Sequence, residues 1–277
     1  MSQKTLFITG VSSGFGRAFA QEALSAGHRV VGTVRNEAAR LEFDNLKPGS
    51  SFGKILDVTS DDLVPPLVAL VEAEIGPIDV LINNAGYGHE GLVEESTLAE
   101  LRQQFEVNVF GAVSVIKAVL PFMRQRRRGH IINITSMGGL IAFPGLAWYH
   151  GSKFALEGIS SALGKEVKHF GIFVTAVEPG SFRTDWAGRS MARASRSIAD
   201  YDAFIQPLLA ARARRNGNQA GDPAKAAKAI LELIDSPNPP THLLLGPDAL
   251  KFVREGLTTL EQEITEWEPV SRSTDFS

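Results

Sequence analysis

Short, wholly apolar runs alternate with longer stretches whose apolar positions recur every three or four residues, almost to the end of the chain. The short runs lack polar alternation, as strands buried on both faces do, and the longer stretches read as the amphipathic helices that cover them. Alternation of the two predicts βαβ units and an α/β fold built on a parallel sheet. Strands are expected over 6–9, 29–34, 52–56, 80–82, 130–135, 172–177 and 243–245, and helices over 14–26, 63–75, 97–123, 149–169 and 224–234, followed by a helical tail. Local signals support several of these. Gly27 is a natural helix stop, Thr97-Leu98-Ala99-Glu100 has the form of a capping box, and Pro65 and Pro66 must fall in the first turn of their helix or kink it. The segment 181–222 has weaker periodicity and many Ala and Arg, so it reads as an inserted, partly helical lobe. No repeat or linker-like stretch divides the chain. Residues 1–277 are expected to form one domain, with 181–222 as a substrate lobe and 247–277 as a C-terminal helical extension.

Composition narrows the function. The 277 residues are 44% hydrophobic and 21% charged, with net charge −3, the make-up of a globular chain with a large core. That balance gives no electrostatic footprint for nucleic acid. Arg124, Arg126, Arg127 and Arg128 are the local exception, and they sit at an expected helix end, where cations are favourable. Cysteine is absent, which excludes disulfides, thiolate catalysis and zinc–thiolate sites. The histidines at 28, 89, 130, 150, 169 and 242 show no ligand-like spacing, so no metal is expected. Met1-Ser2-Gln3-Lys4 leads straight into a strand, and no apolar stretch approaches membrane-spanning length, which predicts a cytoplasmic protein with no membrane partner.

Two stretches carry chemistry. Directly after the first strand stands Thr9-Gly10-Val11-Ser12-Ser13-Gly14-Phe15-Gly16. Glycines there let the backbone turn tightly and approach a pyrophosphate, which then sits at the N-terminus of the next helix. The bland alternative is a strand-to-helix turn with no ligand. An acid about 20 residues on, at the end of the second strand, would favour NAD. This chain has Thr33-Val34-Arg35-Asn36 instead, and Arg35 suits the 2′-phosphate of NADP. NADP(H) is therefore expected over NAD(H). The second stretch is Trp148-Tyr149-His150-Gly151-Ser152-Lys153. A phenol has a pKa of about 10 and is a poor acid or base by itself. Lys153, at i+4 on a helix, is expected to lower it toward the working range, and Ser136 can hold a substrate oxygen. A surface Tyr and a solvated Lys at helical spacing are the alternative.

With Asn83-Asn84-Ala85-Gly86, Asn108 and Pro179-Gly180 through Thr184 added, residues 5 to 184 resemble the short-chain dehydrogenase/reductase family. Thr33-Val34-Arg35 and the helical C-terminal extension are similar to its hydroxysteroid dehydrogenase-like branch. The resemblance implies a Rossmann-like doubly wound parallel sheet of about seven strands, with helices on both faces and the cofactor at the carboxyl edge. It implies Tyr149 as acid/base, with Lys153 lowering its pKa and bonding the nicotinamide ribose. Ser136 would orient the substrate oxygen, and Asn108 would hold a water linking Lys153 to solvent. Asp57 and Val58 would contact adenine, and Asn84, Ala85 and Gly86 would line the nucleotide. Pro179, Gly180, Phe182 and Thr184 would meet the nicotinamide. Members preferring NADP often carry a base just before the second glycine; Ser13 stands there, so NADP preference rests on Arg35.

A pocket walled by Phe143, Phe182, Trp186, Met191, Phe204 and Leu208 would suit a hydrophobic ketone or secondary alcohol. Several of these residues equally suit packing of the lobe. Three functions stay open: an NADP(H)-dependent carbonyl reductase or alcohol dehydrogenase, a catalytically silent nucleotide sensor, and a dehydratase or epimerase that retains the cofactor. An NAD-dependent dehydrogenase of the same fold is a variant of the first. Apolar residues beyond one stripe, Phe105, Val109, Val113, Leu156 and Ile159, predict a homodimer or homotetramer through the two long helices, which pair across subunits in similar enzymes.

Overall fold

The computed structural model describes residues 3–276; Met1 and Ser2, on which the reading of the amino terminus partly rests, lie outside it. The strands are β1 (Thr5–Ile8), β2 (Arg29–Val34), β3 (Ser51–Ile55), β4 (Val80–Asn83), β5 (Gly88–Glu90), β6 (Gly129–Ile134), β7 (Ile172–Pro179), β8 (Met191–Arg193) and β9 (His242–Leu245). Seven of them form one parallel sheet in the order β3-β2-β1-β4-β6-β7-β9, while β5 and β8 pair as a separate ribbon. The helices are α1 (Gly14–Ser25), α2 (Glu37–Asp44), α3 (Val64–Glu74), α4 (Leu98–Phe105), α5 (Ala112–Arg126), α6 (Ala147–Val167), α7 (Asp202–Arg215), α8 (Pro223–Asp235) and α9 (Pro247–Arg272).

Period-two alternation sorts the strand residues into two cores. Leu6, Ile8, Val30, Val80 and Ile82 face α1 and α8. Phe7, Val31, Leu81 and Ile131 face the other way, against α3, α5 and the C-terminal part of α6. Each such side chain contributes about 1.5–3 kcal/mol through burial. That double coverage explains why the strands read as unbroken apolar runs.

Four features were not foreseen. The helix α2 is short and polar, begins on an Asn36 side-chain cap to the Ala39 amide, and buries only Phe43, so periodicity gave no warning. The strands β5 and β8 are three residues each. The single helix expected over 97–123 has its Thr97–Glu100 capping box, but Glu106–Gly111 form a π turn between α4 and α5. The extra residue in that turn rotates the helix beyond it. Val109 therefore faces the core while Phe110 points outward. Leu156 is buried as well, so neither it nor Val109 is available to a partner; Phe105, Val113 and Ile159 are half-buried. Finally, the continuous helix Leu98–Arg126 holds an 18-residue segment of mean hydropathy 1.5, long and apolar enough to cross a bilayer by length and composition, contrary to the expectation that no stretch approaches that length. Its inward residues Val115, Ile116, Val119 and Met123 are packed in the second core.

Candidate active site

The sheet order reverses between β1 and β4, which opens a crevice at their carboxyl ends, the usual ligand position in such sheets. The glycine turn lies there. Gly10 has φ +73°, in the left-handed region, and a Cβ on Gly16 would lie 2.2 Å from the Gly10 carbonyl oxygen. Only glycine fits either place. Three polar side chains brace the turn. The Asn84 amide donates to the carbonyls of Thr9 and Gly10, both at 2.9 Å. Thr9 Oγ1 accepts from the amides of Asn84 and Ala85, and Thr33 Oγ1 accepts from that of Gly10. The Asn84 side chain therefore braces the loop from behind. Thr33 was missed as a site residue because a strand threonine is indistinguishable in sequence from a β-former, and Thr9, just past β1 at the head of the glycine motif, was given no role of its own.

Further along the crevice, α6 brings Tyr149 and Lys153 to the end of β6, where Ser136 begins the next loop. Two networks fix that helix. Ser152 Oγ donates to the Tyr149 carbonyl at 2.7 Å and accepts from Asn108 Nδ2 at 3.0 Å. Asn108 Nδ2 also donates to the Tyr87 carbonyl and its Oδ1 accepts from the Tyr87 amide, so the π turn locks onto both β4's exit loop and α6. Beneath, Asn83 Nδ2 donates to Asn133 Oδ1, and Asn133 Nδ2 donates to Ser160 Oγ. His150 fixes the Ser136 loop: Nε2 accepts from the Phe143 amide at 2.9 Å, which leaves Nδ1 to donate to the Gly138 carbonyl at 2.7 Å. Burial holds this ring below its usual pKa, in keeping with that neutral tautomer.

Electrostatics differ from the expectation for this pair. Burial pushes the Tyr149 phenol up to about 12, against a hydrogen bond with Ser136 that works to lower it. Burial also draws Lys153 down to about 8, opposed by the Glu157 carboxylate one turn away. The reason is position. Lys153 Nζ lies 5.8 Å from the phenol ring centroid and donates to the Ile134 carbonyl at 2.8 Å. Desolvation of both groups outweighs their interaction.

The expected lobe lies over this crevice. Strand β8 pairs with β5, and Glu90 at the end of β5 takes Arg193 and Arg212 of the lobe at 3.1 and 3.0 Å. The Trp186 ring stands 5.1 Å from that of Tyr149, centroid to centroid. Phe143 packs between His150 and Phe252, and Phe182 packs on Phe15, so both rings serve the walls. Phe204 is exposed. An open hollow of about 390 Å³, lined by Arg183, Thr184, Asp185, Gly188, Arg189, Asn216 and Gly217, adjoins the Thr184 end.

Residues 4–194 match the family model described as short chain dehydrogenase. The chain belongs to the short-chain dehydrogenase family. A 3-ketodihydrosphingosine reductase of Bacteroides thetaiotaomicron is 40% identical over 254 residues, covering 89% of each chain. The crystal structure of a short-chain dehydrogenase from Streptomyces avermitilis superposes with a TM-score of 0.92 at 41% identity, covering 100% of both chains. A single-substitution variant of actinorhodin polyketide ketoreductase, solved with NADPH, gives 0.73 at 29% identity, covering 88% of this chain and 95% of that one.

The other positions expected to meet the nucleotide lie along the same sheet edge. Arg35 is exposed just beyond β2, and no hydrogen bond or ion pair engages it among the described residues. Asp57, after β3, accepts from the amide and hydroxyl of Thr59, which with the nearby Arg35 holds its carboxyl below the usual range. Val58 is buried and would clash with a Cβ on Gly111, so its side chain faces the core. Gly180 packs against Asp248 of α9, whose carboxylate accepts from the Ser181 amide.

Proposed function

We propose that this chain is an NADP(H)-dependent oxidoreductase that moves a hydride between nicotinamide and a hydrophobic ketone or secondary alcohol. The convergence of Tyr149, Ser136 and Lys153 beside the glycine turn carries this reading. The residues suit the cofactor. The turn admits a pyrophosphate, Arg35 offers a 2′-phosphate an exposed guanidinium that has no hydrogen bond or ion pair among the described residues, and the Lys153 ammonium has three N–H donors for one hydrogen bond. The NADPH-bound ketoreductase relative supports the same choice.

Bound nicotinamide would supply or accept the hydride. The rest of the chemistry falls to the chain. Ser136 holds the carbonyl oxygen, and Tyr149 donates its phenolic proton to that oxygen, which burial keeps in place until charge develops. Lys153, drawn from the Ile134 carbonyl toward the crevice, stabilises the phenolate left behind. Asn108 and Ser152 hold the helix that carries both groups. In the reverse direction the phenolate takes the alcohol proton. Trp186 on the lobe covers the phenol and excludes water. The apolar wall and the ketosphingolipid reductase relative favour a substrate with a long apolar body, and the hydroxysteroid dehydrogenase-like branch fits that class. The whole chain works in this reading as one domain, in the cytoplasm, as a homodimer or homotetramer.

The test is NADPH oxidation followed at its absorbance with ketones graded from acetone-sized to long-chain and polycyclic. Catalytic efficiency should rise with apolar size. Tight NADPH binding with no turnover of any ketone would favour the silent sensor instead.

A further inference from the structure

Behind Lys153, on the side away from the crevice, three side chains meet that the reaction does not use. Glu157 is one turn beyond Lys153 on α6. In the β7–β9 register, Ala176 is opposite His242, so Glu178, two residues further along β7, shares the sheet face of His242. The face is covered by α6. One ligand atom from each of the three residues lies within 4.8 Å of the others. His242 Nδ1 is 2.7 Å from Glu178 Oε1 and 3.4 Å from Glu157 Oε2.

The arrangement is costly as it stands. Glu178 is fully buried and Glu157 is 6% exposed. Among the described residues neither oxygen of Glu157 nor Oε2 of Glu178 has a hydrogen-bond partner, although the Thr135 hydroxyl is near enough to favour the charged form of Glu157. Burial raises both carboxyls, Glu178 to about 7 with Glu157 adding to the rise, so the pair is relieved either by a proton or by a cation that joins it. The Lys153 ammonium favours the charged form of Glu157, but it donates its hydrogen bond to the Ile134 carbonyl and none to either carboxylate. His242, whose side chain is 46% exposed, opens the cluster to solvent.

We infer that Glu157, Glu178 and His242 bind one divalent transition-metal ion of the zinc class, with water at the remaining position. An imidazole nitrogen and carboxylate oxygens are both ligand types that zinc accepts, and the nitrogen disfavours magnesium and calcium, which prefer oxygen alone. No spacing in the sequence discloses the site, because its ligands come from α6, β7 and β9. The ion would tie α6 to the sheet edge, and the inference is independent of what the crevice reduces.

The test is calorimetric titration of chelator-treated full-length protein with Zn²⁺ and with Mg²⁺, alongside thermal unfolding. Zn²⁺ should bind one per chain and raise Tm by about 5–10 °C at a hundredfold excess over Kd, with no comparable response to Mg²⁺. Glu157→Gln and His242→Gln should each weaken Zn²⁺ about 100-fold or more. His242 is partly exposed, so its variant keeps the test intact if the buried substitution impairs folding. Absence of stoichiometric Zn²⁺ binding, equal binding of Mg²⁺, or unchanged affinity in His242→Gln would overturn the assignment and leave the two carboxylates sharing a proton.

Discussion

At the scale of single residues, the crevice trades stability for chemistry. Lys153 has its pKa lowered from 10.5 to about 8 by burial. Its folded value lies below its unfolded one, so between pH 8 and 10.5 the unfolded chain holds more protons and stability rises with pH. Below pH 8 the penalty is fully present. Lys153→Met should therefore stabilise the protein at pH 7 by about 1–3 kcal/mol while abolishing turnover, and should flatten the rise in Tm between pH 8 and 10. Thermal unfolding of both proteins across that range checks the sign. A Tm below wild type at pH 7 would mean that the ammonium is well solvated or paired. Arg35 acts on selectivity instead. Arg35→Asp removes a cation from the end of β2 and should lower the NADP-to-NAD ratio of catalytic efficiency by about 10- to 100-fold. An unchanged ratio would make Arg35 a plain surface residue.

At the scale of elements, Glu90 is one of the carboxylates that hold the lobe to the body: it receives Arg193 from β8 and Arg212 from α7, while Glu95 accepts from Arg196 and from the Ser197 and Ile198 amides. Glu90→Gln removes the charge and keeps the shape. The lobe should then sample more open positions, raising KM for an apolar ketone about tenfold with kcat within about twofold. Steady-state kinetics with one ketone decide this; an equal loss in kcat would place Glu90 in the chemistry. The same elements show what the sequence disclosed. The glycine turn, Ser136 and the Tyr149–Lys153 pair were legible because each is a local pattern on one turn or one helix. The strands of the main sheet were legible because burial on both faces erases polar alternation. Ser152, His150 and Thr9 were not, since each acts through a partner brought in by tertiary placement. Val109 was misread for a related reason: a π turn leaves no periodic signature in so short a segment, yet it decides which of two neighbouring apolar residues turns inward.

At the scale of the whole molecule, exposed apolar side chains lie where a second copy could cover them. Phe110 on the π turn is 52% exposed and Phe154 on α6 is 45% exposed, on the helices expected to pair between subunits. The homo-oligomer is predicted to need them. Light scattering at micromolar concentration should give a dimeric or tetrameric mass for wild type and a smaller one for Phe110→Glu combined with Phe154→Glu. A monomeric wild type would sink this. Beyond Gly256, α9 also exposes Leu257, Leu260, Ile264 and Trp267, so an oligomer that survives the double substitution would point to that arm.

The most direct measurement is single-turnover oxidation of NADPH by wild type and Tyr149→Phe, each with an apolar ketone the wild type reduces. The substitution removes one oxygen from a buried ring and leaves the glycine turn and Arg35 untouched. NADPH affinity should stay within about threefold, while hydride transfer slows about 100-fold or more, the scale of a lost general acid. Hydride transfer by Tyr149→Phe at near wild-type rate would contradict the assignment of Tyr149 as the proton donor.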